Sequence, residues 1–284
     1  DVLRARALLQ DLDFLIVQDI FMTKTAGYAD VVFPASVGWV EADGTVTSSE
    51  RRVQRVRAAL VPPKGARADH EIIGDLAMRL GATWQAQTPE ELWDELRSIS
   101  PMHAGMSYPR LEENNGLQWP CPDLDHPGTP FLHGWLWEED LLGHDPAPFS
   151  LTTHEGPKET LSEEFPIRLT TGRVLDSYNT GVQSRAYKSP LRKGADLEIS
   201  TVDALELGLQ NGEEVLVSSP RGHVKMLVSI QKDQVKGLAF TTFHFPDLVD
   251  LNVLTNDQWD PLSGTAEFKA AAIRIEKLTG DDRA

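Results

Sequence analysis

Four groups of polar side chains in this chain have the types and spacing to hold a ligand that carries both phosphates and a base. The first is Gln18, Asp19 and Thr23, which follow the apolar run Phe14-Leu15-Ile16-Val17. An amide and a carboxylate each offer two directed hydrogen-bonding atoms, which suits a guanine edge or ribose hydroxyls. The place suits it too, since open α/β sheets hold ligands beyond the carboxyl ends of their strands. Asp19 alone reads equally as a helix N-cap. The second group is Glu50, Arg51 and Arg52. Planar guanidinium forks there could grip phosphate, or the cluster is a solvated charged loop. Asp69, next in order, reads as an N-cap acid. The third group is Thr171, Arg173, Tyr178 and Asn179, in a glycine-containing turn after a strand. Such a turn can aim backbone N–H groups and one guanidinium at a diphosphate, each charge-assisted bond being worth about 1.5–3 kcal/mol. The fourth is His244, Asn252, Thr255 and Lys269. His244 reads either as a ligand contact or as a core histidine among aromatics, and Lys269 as a point charge for an anion or a surface lysine.

Metal chemistry finds little support. No Cys-x-x-Cys or His-x-x-x-His pair occurs, and His103, His126 and His133 are irregularly spaced. The one cysteine, Cys121, lies between two prolines and reads as a packed thiol. It excludes an internal disulfide and any iron–sulfur cluster held by this segment alone.

The elements that must position these groups fall into two textures. Residues 1 to about 100 alternate helix and strand. Apolar residues at helical spacing fill Val2–Leu9, short apolar runs at Phe14–Val17 and Val31–Phe33 read as buried strands, and Glu41–Ser49 reads as a polar loop. Asp69 precedes an amphipathic helix ended by Gly81, and Thr88-Pro89-Glu90-Glu91 is a capping box with proline at N1. From Pro101 to about residue 164 regular periods vanish, and the stretch reads as a long, packed, irregular connection. From Phe165 on, alternating apolar residues mark six or so strands with one short helix, capped by Thr201 and ended by Gly208, which argues for a small barrel.

With 284 residues and 40% hydrophobic composition the chain can bury a sizeable core, and its length suggests about two domains. A net charge of −16 makes nucleic acid or an anionic membrane an unlikely partner class. A phosphate ligand needs only a few local donors and stays possible. No 18-residue apolar run or signal-peptide pattern is present, which with the cysteine usage suggests a cytoplasmic setting.

The run VQDIFMTKTA, then ADVVFPAS, a Gly-Thr-Val-Thr loop and Arg-Arg-Val-Gln resembles a segment of molybdenum- or tungsten-dependent formate dehydrogenases, which are molybdopterin-dinucleotide oxidoreductases. FPIRLTTGRVLDSYNTG, DALELGLQNGEEVLVSSPRG and TTFHFPDLVDLNVLTNDQWDPLSGTAEFKAAAIRIEKL are similar to the family's C-terminal dinucleotide-binding domain. The resemblance covers nearly the whole chain. It implies an α/β domain with a parallel sheet (residues 1–100, partial), the irregular connection (101–164) and a double-psi β-barrel (165–284).

For the site, the resemblance implies that Gln18, Asp19, Thr23, Glu50, Arg51, Asp69, Thr171, Arg173, Ser177, Tyr178, Asn179, His244, Asn252 and Lys269 contact a bis-molybdopterin guanine dinucleotide carrying Mo or W. Asp69 would lie near the guanine and His244 near a pterin. Ser177 stands where relatives often carry histidine, which puts a contact or proton transfer there in question. The metal ligand, its catalytic neighbours and the iron–sulfur clusters would lie upstream of Asp1, so no catalytic or metal residue is expected here. TTFHFP and Tyr178-Asn179 resemble the soluble NAD-coupled type. The implied partners are therefore formate and electron-transfer subunits with iron–sulfur or flavin groups, linked to NAD. Other readings are a nitrate reductase or another molybdopterin oxidoreductase, a non-catalytic nucleotide- or cofactor-binding module, and a structural domain that meets partners through Pro101–Ser162.

Overall fold

A computed structural model describes residues 1–133, 149–177, 179 and 194–278. The chain forms two compact units, one made of residues 1–12 with 153–284 and the other of residues 13–152. This grouping differs from the expected boundaries at 100 and 164. The first helix, α1 (Val2–Gln10), packs with the barrel, and residues 101–133 belong to the other unit.

In the unit of residues 13–152, β1 (Ile16–Asp19) and β2 (Val31–Pro34) pair in parallel, Ile16 opposite Val31 and Asp19 opposite Pro34. The expectation of two buried strands is corrected here, because Phe14 and Ile16 are exposed and Val17, Val31, Val32 and Phe33 are only half-buried. The stretch read as a polar loop is instead a hairpin, β3 (Gly44–Thr47) against β4 (Arg52–Val56). At its corner Arg51 takes a left-handed φ of 65°, uncommon for a residue with a side chain.

α2 (Asp69–Arg79) starts one residue earlier than expected, so Ala68 is the N-cap and Asp69 the first helical residue. Its acidic side chain still complements the positive helix start. α3 (Pro89–Ile99) has the expected capping box: Glu91 N–H donates to Thr88 Oγ1 at 3.2 Å, and Thr88 N–H donates to Glu91 Oε2 at 2.7 Å.

The stretch after Pro101 is more regular than its composition suggests. It contains α4 (Tyr108–Glu113) and β5 (Leu117–Gln118), which adds to the hairpin as a third strand beside β4. Val53, Trp93, Met106, Tyr108, Leu111, Leu117 and Cys121 form its buried core, each apolar side chain contributing about 1.5–3 kcal/mol of gross transfer energy. Gly105 is required for this packing, since a Cβ would sit 1.9 Å from the Asp123 carbonyl oxygen. Cys121 Sγ is buried and lies 3.3 Å from the His126 carbonyl, as expected of a packed thiol.

The barrel unit holds β6 (Ile167–Gly172), β7 (Leu197–Ser200), helix α5 (Thr201–Leu207), β8 (Glu214–Ser218), β9 (His223–Gln231), β10 (Leu238–Thr242) and β11 (Ala271–Lys277). The six strands close in the order β10-β6-β11-β8-β9-β7, which leaves no free edge among them. β6 and β10 run in parallel, with Thr241 opposite Thr171 and Thr242 opposite Gly172. Alternate residues such as Leu169, Leu197, Val215, Val217, Val228, Ala239 and Ile273 point inward and are fully or almost fully buried. The α5 cap is Ser200 and not Thr201: Asp203 N–H donates to Ser200 Oγ at 3.0 Å, and Gly208 closes the helix at φ 65°. Among the described residues no helix is long and apolar enough to cross a membrane.

Candidate functional site

Each unit holds its own cluster of ligand-type side chains near the carboxyl ends of a parallel strand pair, β1–β2 in one and β6–β10 in the other, the place where open α/β sheets hold ligands.

In the unit of residues 13–152, β1 ends at Gln18-Asp19. The Gln18 amide donates to Asp69 Oδ1, joining the strand end to the first turn of α2. That bond orients the Asp69 carboxylate and leaves its second oxygen at the surface of an exposed pair. Asp19 turns back on its own chain and accepts the Phe21 N–H at 2.9 Å. Thr23 Oγ1 likewise accepts the Ala26 N–H at 3.2 Å, just before the short 3-10 turn Ala26–Tyr28. At the end of the neighbouring strand the Ser36 hydroxyl is buried with no hydrogen-bond partner. Sequence reasoning passed over Ser36; its place directly after the strand ADVVFPA was the available signal.

Arg51 and Glu50 have other work in this structure. The Arg51 guanidinium donates to the carbonyls of Trp119, Thr129 (3.0 Å) and Pro130 (3.2 Å), clamping the chain after β5 against the hairpin corner. Glu50 Oε1 accepts from Arg52 Nε at 2.9 Å, and Arg52 also reaches the Gly116 carbonyl at 3.3 Å. The arginines expected to face phosphate thus satisfy backbone carbonyls, and this explains how Arg51 is held at a positive φ.

In the barrel unit, β6 runs through Thr171 and Gly172 into the turn that carries Arg173. Thr171 is buried, its hydroxyl donating to the Phe268 carbonyl at 2.8 Å. Gly172 permits close packing, because a Cβ would meet Phe240 Cε2 at 2.9 Å. Arg173 is exposed, its Nε bonded to Asn179 Oδ1 at 2.6 Å and its guanidinium 5.4 Å from the Phe243 ring centre. The remaining guanidinium nitrogens can take an anion in the plane of the fork. Tyr178 lies outside the described residues. Asn179 has φ 43° and its carbonyl meets His244 Nδ1.

His244 is fully buried, and both ring nitrogens are engaged. Nε2 accepts the Val174 N–H at 3.0 Å, so Nδ1 carries the proton and donates to the Asn179 carbonyl. In this arrangement His244 holds the 173–179 turn and has no ring nitrogen free for a pterin, which places it nearer to the core-histidine reading. The Ser177, Thr241 and Thr242 hydroxyls, around the same strand ends, are buried without partners; a buried orphan of this kind is rare enough to call for a ligand or a specific role.

A cavity of about 520 Å³ opens in the barrel unit beside this turn. Thr171 and Asn252 line it together with Phe243, Phe268, Thr255 and Asn256. Aromatic walls with an amide and hydroxyls suit a flat heterocycle bearing polar edges. Lys269 is exposed beside Phe268, its Nζ 5.9 Å from the ring centre. The barrel unit therefore carries donors of the types an anionic heteroaromatic ligand needs, a guanidinium and an ammonium (Arg173 and Lys269, both exposed and outside the cavity's lining) with amides and aromatic faces, while Asp1 and Asp250 also line the cavity. Among the described residues there is no cluster of three or more His, Cys, Asp or Glu side chains placed to hold a metal ion.

Comparison with known proteins gives these observations a context. Residues 2–79 match the Molybdopterin oxidoreductase family, and residues 167–272 match the Molydopterin dinucleotide binding domain. The chain is 42% identical, over 98% of its length, to the F420-dependent formate dehydrogenase 2 subunit alpha of Methanococcus maripaludis, and covers 41% of that protein. It is 38% identical over the same share to the F420-dependent formate dehydrogenase subunit alpha of Methanocaldococcus jannaschii, again covering 41%. The chain thus spans about two fifths of the length of these relatives. Among solved structures it is similar to acetylene hydratase from Pelobacter acetylenicus, with a TM-score of 0.64 and 20% identity over 97% of this chain and 42% of that one. At that identity the likeness speaks for the fold.

Proposed function

Because this chain belongs to the molybdopterin oxidoreductase family, we propose that it is the C-terminal part of a formate dehydrogenase catalytic subunit that binds bis-molybdopterin guanine dinucleotide. The observation that carries the reading is Arg173, an exposed cation fixed by Asn179 where parallel β6 and β10 end, in the same unit as the cavity lined by Thr171 and Asn252. The barrel is of the double-psi kind in this reading. The bound cofactor supplies the two-electron chemistry that takes formate to carbon dioxide at Mo or W.

This chain's residues bind and orient. Arg173 and Lys269 neutralise phosphate charge, and Asn252 and Thr171 sit at the edges of the cavity. The Asp69 carboxylate, aimed by Gln18, accepts from the N–H groups of a guanine. His244 positions Arg173 indirectly by fixing the turn between Val174 and Asn179. The metal ligand and the iron–sulfur clusters belong to the remaining three fifths of the protein, which we place in the cytoplasm with electron-transfer partner subunits.

Two electron acceptors are in view. TTFHFP and Tyr178-Asn179 favour NAD, while the names of the M. maripaludis and M. jannaschii relatives favour F420. The test is to purify the full-length protein anaerobically, measure guanine nucleotide released by mild acid, and assay formate-dependent reduction of each acceptor. Stoichiometric guanine nucleotide with formate turnover is expected. Guanine nucleotide without formate turnover would point to another substrate, such as nitrate, and its absence would leave a non-catalytic module.

A further inference from the structure

Helix α1 is fastened to the barrel mainly by charge. None of its nine residues is buried, and Leu3 and Leu8 stay 42% and 58% exposed, so little apolar area holds it in place. Leu3 rests near the turn between β8 and β9, where a Cβ on Gly222 would meet its Cδ1 at 3.3 Å. The polar ties are two ion pairs, Arg4 with Asp257 and Arg6 with Asp250. Pairs open to solvent are individually weak and are screened by salt. So short a helix also needs support from its surroundings to form.

What α1 covers is the cavity of the barrel unit. Val2 and Ala5 belong to the cavity's lining, together with Phe243, Phe268 and Asn252. Both acids that α1 engages stand at this cavity: Asp250 lines it, and Asp257 directly follows Asn256 of the lining. The lining contains acids, Asp1 and Asp250, but no lysine or arginine. With α1 lifted away, Asp250 and Asp257 would lose their cations and face an incoming anion as two like charges. With α1 docked, Arg6 and Arg4 offset both.

We propose that α1 is a charge-held strap over the barrel cavity, which when docked walls the cavity and neutralises its acidic rim, so that docking and retention of an anionic ligand strengthen one another. The coupling runs both ways, because a ligand that favours the docked state must itself be held more tightly by it. The inference rests on reading the cavity as a seat for a phosphate-bearing heterocycle, and it adds to that reading what closes the seat and what opens it.

The test uses the full-length protein and two readouts: hydrogen–deuterium exchange of the 2–10 peptide, and the rate at which guanine nucleotide is lost during dialysis at low salt. Raising salt from about 0.1 M to about 1 M shortens the screening length from about 10 Å to about 3 Å. Exchange across 2–10 should then quicken while the β6 and β10 peptides keep their protection. Arg6→Glu sets two carboxylates against each other and should speed both exchange and nucleotide loss roughly fivefold. The swapped pair Arg6→Glu/Asp250→Arg should return both towards the wild-type values, which a merely damaged fold would not do. If Arg6→Glu does not fold, the salt series on the wild type decides alone. Exchange across 2–10 that responds to neither salt nor Arg6→Glu would overturn the proposal. So would a released α1 with nucleotide loss unchanged or slowed, which would make α1 indifferent to the ligand or its competitor. Wild-type protein without guanine nucleotide would instead sink the cofactor reading and the closing role with it. Exchange is read whether or not nucleotide is present, so the two failures can be told apart.

Discussion

Arg221 and Glu159 form a two-pronged ion pair, Nη1–Oε1 at 2.6 Å and Nη2–Oε2 at 3.0 Å, with side chains only 17% and 12% exposed. The same guanidinium donates to the Leu254 carbonyl at 2.7 Å, and Glu159 Oε2 also accepts the Ala272 N–H at 3.0 Å. A residue in a stretch without regular structure is thereby strapped across the turn between β8 and β9, the end of the 3-10 turn Leu251–Val253 and β11. Arg221→Ala leaves the Glu159 carboxylate half-satisfied where little water reaches it. We expect a loss of about 3 kcal/mol, the low end for breaking a buried pair, seen as a lower urea midpoint. Arg173→Ala should do the reverse: stability within about 0.5 kcal/mol, as for exposed sites, but less guanine nucleotide retained by the full-length protein. Equal retention in the two variants would remove Arg173 from the diphosphate.

Asp69→Asn keeps the shape of the side chain and removes its charge. If Asp69 accepts from a guanine, a charged hydrogen-bonding partner worth about 1.5–3 kcal/mol is lost. Guanine nucleotide retained through gel filtration of the full-length protein should drop by roughly 10- to 100-fold in apparent affinity. The cost to the folded α2 should be small, about 0.3–1 kcal/mol, because a charge at a helix start is modestly stabilising. Unchanged retention would confine Asp69 to its bond with Gln18.

His244→Phe preserves volume and removes two hydrogen bonds. The Val174 N–H and the Asn179 carbonyl lose their partners, costing roughly 1–3 kcal/mol for each group that stays buried. Arg173 then loses its fixed bearing. We expect a lower unfolding temperature together with weaker cofactor retention, and His244→Gln to recover part of both. Full retention in His244→Phe would detach the turn from ligand binding.

His103 gives the 13–152 unit a pH dependence. Its Nδ1 lies 2.7 Å from Ser100 Oγ, and its ring sits between Trp93 and Trp119, at 5.8 and 6.1 Å between ring centres. Burial there pushes its pKa below 6.5. The unfolded chain therefore binds a proton more readily than the folded one, so stability is full above pH 6.5 and declines as pH falls toward the folded pKa. Denaturation midpoints between pH 8 and 5 should show that slope, and His103→Gln should flatten it. The same slope in the variant would assign it to other groups.

How far the sequence was legible depends on where each signal is written. The barrel strands were readable because Val224, Met226, Val228 and Ile230 alternate cleanly and the turns carry Pro220 and Gly222. The α3 cap was readable because Thr88 to Glu91 contains all of it. The β3–β4 hairpin was not, since Gly44–Thr47 is short and polar and its partner lies beyond a turn made by a left-handed arginine. Residues 101–133 hid their order because their core is made with Trp93 of α3 and with Val53, some fifty residues earlier. At the site, types and positions at strand ends were legible, but the partners were not: a local pattern cannot say that Arg51 will be spent on the carbonyls of Trp119 and Thr129, or that both nitrogens of His244 will be taken.

The docking of α1 on the barrel has a cost in time. Arg6 pairs with Asp250 and Arg4 with Asp257, so α1 is fastened by residues some 250 positions later. At ribosomal speeds of ~5–20 residues per second, α1 waits on the order of 10–50 s for its seat to be synthesised. In that interval the whole 13–152 unit emerges and can fold as an insertion between the two halves of its neighbour. A helix of nine residues is too short to persist alone in the meantime. α1 therefore finds its ion-pair partners only after Asp250 and Asp257 have left the ribosome.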